Sequence, residues 1–127
     1  MIYDQSITSA GPMPKPTVEL LDCLGYIYLK AGQPHRAIIL FLLAVRNRPN
    51  ARLMAALALA LIEADMGSLA LPLFESLEKL DRHFAQDPRV SILRARALLA
   101  NGDDERARAL FAASCRARGD RQVGSST

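Results

Sequence analysis

Residues 21–49 read LDCLGYIYLKAGQPHRAIILFLLAVRNRP. Val18, Leu21, Leu24 and Tyr28 recur at three- and four-residue spacing, which predicts a helix with one buried apolar face. Gly32 stands where the residue after a helix takes positive φ. Pro34 follows at the first position of a second helix, where a missing N–H costs nothing. Ala37 and Phe41 share a face of that helix, and Pro49 ends it. A turn this short makes the two helices antiparallel neighbours.

Outward from this hairpin the same punctuation continues. Asn50 can cap a third helix, Gly67-Ser68 breaks it, and Ser68 can cap a fourth with Pro72 in its first turn. Asp87-Pro88 opens a fifth helix; Asn101-Gly102-Asp103 closes it and opens a sixth. The pair Ala37/Phe41 returns as Ala70/Phe74 and Ala107/Phe111, at offsets of 33 and 37 residues. Gly25, Ala58 and Ala95 are small where two helices would approach, while Tyr28/Leu61/Leu98 and Phe41/Phe74/Phe111 would fill the space between pairs. The expected fold is all-α: six helices in three helix-turn-helix repeats at about 18–50, 51–86 and 88–118, within a domain spanning 17–118. Residues 1–16, with Gly11, Pro12, Pro14 and Pro16, are expected as an extended or disordered arm, and 119–127 as a disordered tail.

Composition agrees. Of 127 residues, 20 are Leu and 20 Ala, strong helix formers and too apolar for a disordered chain. The longest apolar runs, Ala37–Val45 and Leu53–Ile62, fall short of the roughly 18 residues that span a bilayer. The N-terminus lacks a signal pattern, so a soluble cytoplasmic protein with no membrane insertion is expected. The net charge of +3 comes mainly from 13 Arg, but the mild cluster between Arg89 and Arg121 is interleaved with Asp103, Asp104, Glu105 and Asp120. Only Phe111 lies near it for stacking, so nucleic acid is not the expected partner. An Arg-driven RNA-binding repeat would show itself by steep salt dependence.

Catalytic chemistry is not evident. There is no phosphate loop, paired-His metal motif or nucleophile elbow, and no cofactor or metal is expected. His35 and His83 stand alone, Cys23 and Cys115 are expected as buried free thiols, and Glu75 and Glu78 have basic partners four residues on at Lys79 and Arg82.

The pattern Leu21-x-x-Leu24-Gly25-x-x-Tyr28, Ala37-x-x-x-Phe41, Pro49 resembles the tetratricopeptide repeat (TPR), with Leu where Trp is usual. That resemblance implies a right-handed superhelix whose first helices line a concave groove. The groove positions are Asp22, Tyr26, Leu29 and Lys30 in the first helix, Ala55, Leu59 and Ile62 in the third, and Arg89, Ile92, Arg96 and Leu99 in the fifth. From these we take Tyr26, Leu29, Leu59, Ile62, Arg89, Ile92, Arg96 and Leu99 as the candidate partner-binding groove, mostly apolar with charge at its margins. TPR domains that clamp a C-terminal carboxylate use basic and amide residues where this chain has Asp22, Tyr26, Ala56, Arg89 and Leu93, so an apolar segment is the better fit.

Segments 24–45 (LGYIYLKAGQPHRAIILFLLAV) and 93–111 (LRARALLANGDDERARALF) further resemble the small TPR chaperones of bacterial type III secretion, nearest in size and layout to the SctY (YscY) type. The resemblance covers roughly 100 of the 127 residues. It implies a non-catalytic chaperone that pairs as a heterodimer with a small secreted or export-apparatus client, SctX-like, keeps it unassembled before export, and contacts the export gate. The alternative is a generic TPR adaptor scaffolding cytoplasmic proteins.

Overall fold

A computed structural model describes residues 14–126, with side chains described as far as Ala117. The expected arm therefore lies outside the described residues except at its end, where Lys15 and Pro16 already belong to the first helix. Seven α-helices and no strand occur among the described residues. They are α1 (Lys15–Lys30), α2 (Pro34–Asn47), α3 (Ala51–Glu63), α4 (Leu71–Leu80), α5 (Arg82–Ala85), α6 (Pro88–Ala100) and α7 (Asp104–Ser126), with a 3-10 turn at Gly67–Ala70.

Local chemistry sets most boundaries. Asn50 Oδ1 accepts from the Arg52 and Leu53 N–H groups at 2.8 and 3.2 Å, and Asp87 Oδ1 from Arg89 N–H at 2.9 Å. Each side chain satisfies donors that a helix start leaves orphaned. Thr17 is not the expected cap of α1: it sits inside the first turn and donates its N–H to the Pro14 carbonyl at 3.0 Å. Ser68 does not cap either, because the chain enters the second hairpin's return through the 3-10 turn. Gly67 is buried there, and a Cβ on it would lie 2.7 Å from Ala100 Cβ.

The expected fourth helix is two. Asp81 leaves helical dihedrals (φ −150°, ψ 90°) and its Oδ1 accepts from Phe84 N–H at 3.0 Å, restarting the chain as the one-turn α5. This break absorbs the four residues by which the second offset exceeds the first, about one helical turn. At the other end α7 runs to Ser126, through the segment expected as a tail. No proline follows Asp104, and the Ala/Arg-rich sequence favours continuation at about 1 kcal/mol for each glycine crossed.

One turn occurs three times. The N–H groups of Gln33, Met66 and Asp103 donate to the carbonyls of Tyr28, Leu61 and Leu98 at 2.9, 2.8 and 2.9 Å. Those of Gly32, Asp65 and Gly102 donate to Leu29, Ile62 and Leu99 at 3.2, 3.2 and 3.0 Å. Gly32, Asp65 and Gly102 take φ of 78°, 61° and 82°. This is the Schellman arrangement, and it recurs at the 33- and 37-residue offsets of the Ala-x-x-x-Phe pairs.

Packing follows the chain: α1 on α2, α2 on α3, α3 on the 3-10 turn and α4, these on α6, and α6 on α7. The first helices of successive hairpins also touch, α1 with α3 and α3 with α6, whereas α2–α4 and α4–α7 make no comparable contact among the described residues. Phe41, Phe74 and Leu77 are the largest fully buried side chains, each worth roughly 2–3 kcal/mol in transfer free energy. Phe111, expected to match them, is half exposed, and Leu24, expected in the core, is also exposed. Both face an end of the stack where no further hairpin lies among the described residues.

Candidate functional site

The three first helices share a frame in which Tyr26, Leu59 and Arg96 are equivalent, as are Leu29, Ile62 and Leu99. Their common face carries the candidate site, though not as one apolar strip. Tyr26 is exposed there, and Lys30 Nζ lies 5.2 Å from its ring centroid. Together with Asp22, Cys23, Ile27, Arg52 and Ala56 it lines a depression of about 580 Å³ between α1 and α3. Leu59 is half-buried on the same stripe of α3 as Ala56.

Two ion pairs tie the helices together on this face. Arg52 Nη2 donates to Asp22 Oδ2 at 2.8 Å between α3 and α1, and Arg96 Nη2 to Glu63 Oε1 at 3.2 Å between α6 and α3. Arg52 and Glu63 were missed in the sequence, although they stand one helical turn to either side of Ala56 and Leu59 on the stripe that the repeat frame marks as exposed. The face is therefore apolar in patches and bridged by charge between them, a correction to the expectation of charge only at its margins.

The remaining candidates separate. Leu29 and Ile62 are half-buried against the core, with Ile62 Cγ1 3.7 Å from where a Gly67 Cβ would lie. They support the turns that follow their helices rather than lining an open groove. Ala55 is buried. Ile92 is half-buried on α6. Arg89 folds back onto its own helix cap, Nε donating to Asp87 Oδ1 at 3.3 Å and Nη2 to Oδ2 at 3.3 Å. Hydrogen bonding and then charge attraction from Asp87 raise the Arg89 pKa above its ordinary value. Leu99 is exposed and, with Ala95, Arg96, Ala107, Arg108 and Phe111, lines a recess at the end of the stack. Tyr26, Leu59 and Arg96 thus occupy one stripe of the first helices, and Arg96 also lines the end recess with Leu99.

Both cysteines are exposed, not buried as expected. Cys23 lies on the depression beside Tyr26, and Cys115 on the third hairpin. Glu78 pairs with Arg94 of α6 at 3.0 Å; the expected Arg82 partner lies beyond the Asp81 break. Among the described residues no cluster of three or more His, Cys, Asp or Glu could hold a metal, and no helix is long and apolar enough to cross a membrane. No protein-family model matches the chain, and no curated protein sequence matches it.

Proposed function

We propose that this chain is a non-catalytic binding protein with a TPR-like right-handed superhelix, acting as a bacterial cytoplasmic chaperone for a type III secretion client. It holds an apolar segment of that client, a small secreted or export-apparatus protein, before export. The observation that carries the reading is where apolar surface is left uncovered. Among the described residues, seven of the eleven exposed large hydrophobic side chains, including Tyr26, Ile27, Ile39, Leu42 and Leu43, belong to the first hairpin. In the repeat frame Ile39, Leu42 and Leu43 of α2 correspond to Pro72, Glu75 and Ser76 of α4. The second hairpin is polar at two of these three positions, so the apolar character of α2 is not a demand of the fold. Apolar surface of this kind marks an interaction site in a soluble domain.

In this reading the client enters the depression at Tyr26, where an aromatic ring can seat an apolar anchor beside the Asp22–Arg52 pair. The test is co-expression with the SctX-like protein of the same genome and pull-down of the pair. Tyr26→Ala weakens capture at least about tenfold with helicity unchanged. Normal capture by Tyr26→Ala, with capture abolished by Leu42→Asp, moves the site from the groove to the outer face of α2. Failure of the unmodified pair to associate removes the chaperone reading.

A further inference from the structure

We infer that the two ends of the helical stack are complementary and that the chain associates head to tail with a second copy of itself. The argument rests on the repeat frame and its test uses the chain alone, although Ile27 also lines the depression beside Tyr26. Along the first helices, Leu20, Leu53 and Val90 are equivalent, as are Leu24, Leu57 and Arg94, and Ile27, Ala60 and Ala97. Two contacts show where this face looks. Arg94 Nη1 donates to Glu78 Oε2 of α4 at 3.0 Å, and Ala97 Cα lies 3.8 Å from where a Gly67 Cβ would stand. It is the face that receives the preceding hairpin. Leu53, Leu57, Ala60, Val90 and Ala97 are buried, whereas Leu20, Leu24 and Ile27 are exposed, because no described element precedes α1.

The opposite end lacks the converse partner. Phe41 and Phe74 are buried in hairpins that another hairpin follows. Phe111 has no such neighbour among the described residues and stands half exposed over a recess of about 330 Å³, which Ala95, Leu99, Ala107 and Ala112 line together with Arg96 and Arg108. One end therefore needs a second helix of a hairpin, and the other needs a first helix. This chain offers each at its opposite end.

At one position of the shared frame the side-chain chemistry fits the match, whereas Arg108 stands where Leu71 packs on the third hairpin. Val45, Glu78 and Cys115 are equivalent on the second helices. At the junction between the second and third hairpins this position gives Glu78 against Arg94, an ion pair. Between copies the same geometry sets Cys115 against Leu24, both uncharged and both exposed. A head-to-tail contact of this kind does not close on itself and propagates as an open chain. Each end is one helical face, smaller than a standard interface, so the association is reversible and concentration-dependent.

Sedimentation velocity on the full chain tests this up to about 0.5 mM, where even an association with a Kd of about 1 mM is populated. The sedimentation coefficient rises with concentration past that of a dimer. Leu24→Glu and Phe111→Glu alter exposed side chains at opposite ends, and each alone gives a monomer of unchanged helicity. Their equimolar mixture gives a dimer that grows no further, since one intact end remains on each copy. A Cys23→Ser/Leu24→Cys variant treated with a short bismaleimide forms a ladder that disappears when Cys115→Ser is added. Three results overturn the proposal: a full chain that stays monomeric throughout; undiminished association of Phe111→Glu, which means a symmetric pairing of first hairpins; and a full chain that associates only once residues 1–13 are deleted, which means that those residues cover the α1 face.

Discussion

Gly25 is a point of close contact between the two helices of the first hairpin, and replacing it puts a number on that packing. A Cβ there would lie 2.7 Å from Phe41 Cε1 and 2.9 Å from Cδ1 and Cζ, inside van der Waals contact with three ring atoms at once. Phe41 is fully buried, so its ring cannot swing away and the helices must part instead. Overpacking of this sort costs about 1–3 kcal/mol. Against it, alanine in a helix interior gains about 1 kcal/mol over glycine. Gly25→Ala should therefore destabilise by about 1 kcal/mol net, and lower Tm by roughly 4 °C in a domain of this size. Phe41→Leu removes the offending ring atoms at a cost of its own. In the double variant the clash is gone and the alanine gain remains, so the double should equal or exceed Phe41→Leu in stability. The resulting coupling is about 1–3 kcal/mol, measured by urea and thermal denaturation followed by circular dichroism. The equivalent Ala58 is buried in the second hairpin, so Ala58→Gly should lose about 1 kcal/mol or more by the same propensity difference. If Gly25→Ala raises Tm, as propensity alone would have it, the close contact with Phe41 does not exist and the repeat frame built on it fails.

The three equivalent turns make a second comparison: Asp65→Gly should stabilise by about 0.5–1 kcal/mol and Gly32→Ala destabilise by about 1, since nothing lies within 4 Å of a Gly32 Cβ and the effect is purely one of backbone conformation, read as Tm shifts of opposite sign. Asp81→Ala should cost about 1 kcal/mol by leaving the Phe84 N–H without its cap, whereas Asp81→Asn should cost little; equal losses in chemical denaturation would mean that charge, not capping, matters there. A double-mutant cycle on Glu63 and Arg96, both nearly half exposed, should give a coupling of about 0.2–1 kcal/mol that shrinks in high salt; a salt-independent coupling would show a desolvated pair.

How much was legible in the sequence depends on how local each cause is. Asn50, Asp87, Gly32 and Gly102 act within a few residues of themselves, and their caps and turns are where the sequence puts them. Asp65 does the work of Gly32 without being glycine, so the second turn carries no residue-type signal; only its spacing from the other two gives it away. The break at Asp81 interrupts an apolar run whose periodicity reads as continuous helix, and its trace was the four-residue excess between repeats. Thr17 looked like a cap because Pro14 and Pro16 read as breakers, yet prolines fit the first turn of α1, where no intrahelical N–H bond is needed.

The candidate site was less legible for a reason that periodicity cannot supply. Spacing assigns a residue to a face of its own helix but not to what covers that face. Leu24, Leu57 and Arg94 occupy one position of the frame, yet Leu57 is buried, Arg94 is salt-bridged to Glu78, and Leu24 is exposed. Phe41, Phe74 and Phe111 share a motif and differ in the same way. What distinguishes the members of each set is a neighbour, present or absent, one hairpin away. Tyr26 differs from both sets, because its face is bordered by α3 on one side only and the Asp22–Arg52 pair lies along that border. The two exposed ion pairs between successive first helices are each worth no more than about 1 kcal/mol, so they mark the border of the groove rather than fix its width. In the proposed reading, an apolar segment seated at Tyr26 meets the depression that the Asp22–Arg52 pair borders, with Ile27 exposed beside it, while Ile39, Leu42 and Leu43 form a second uncovered patch on α2.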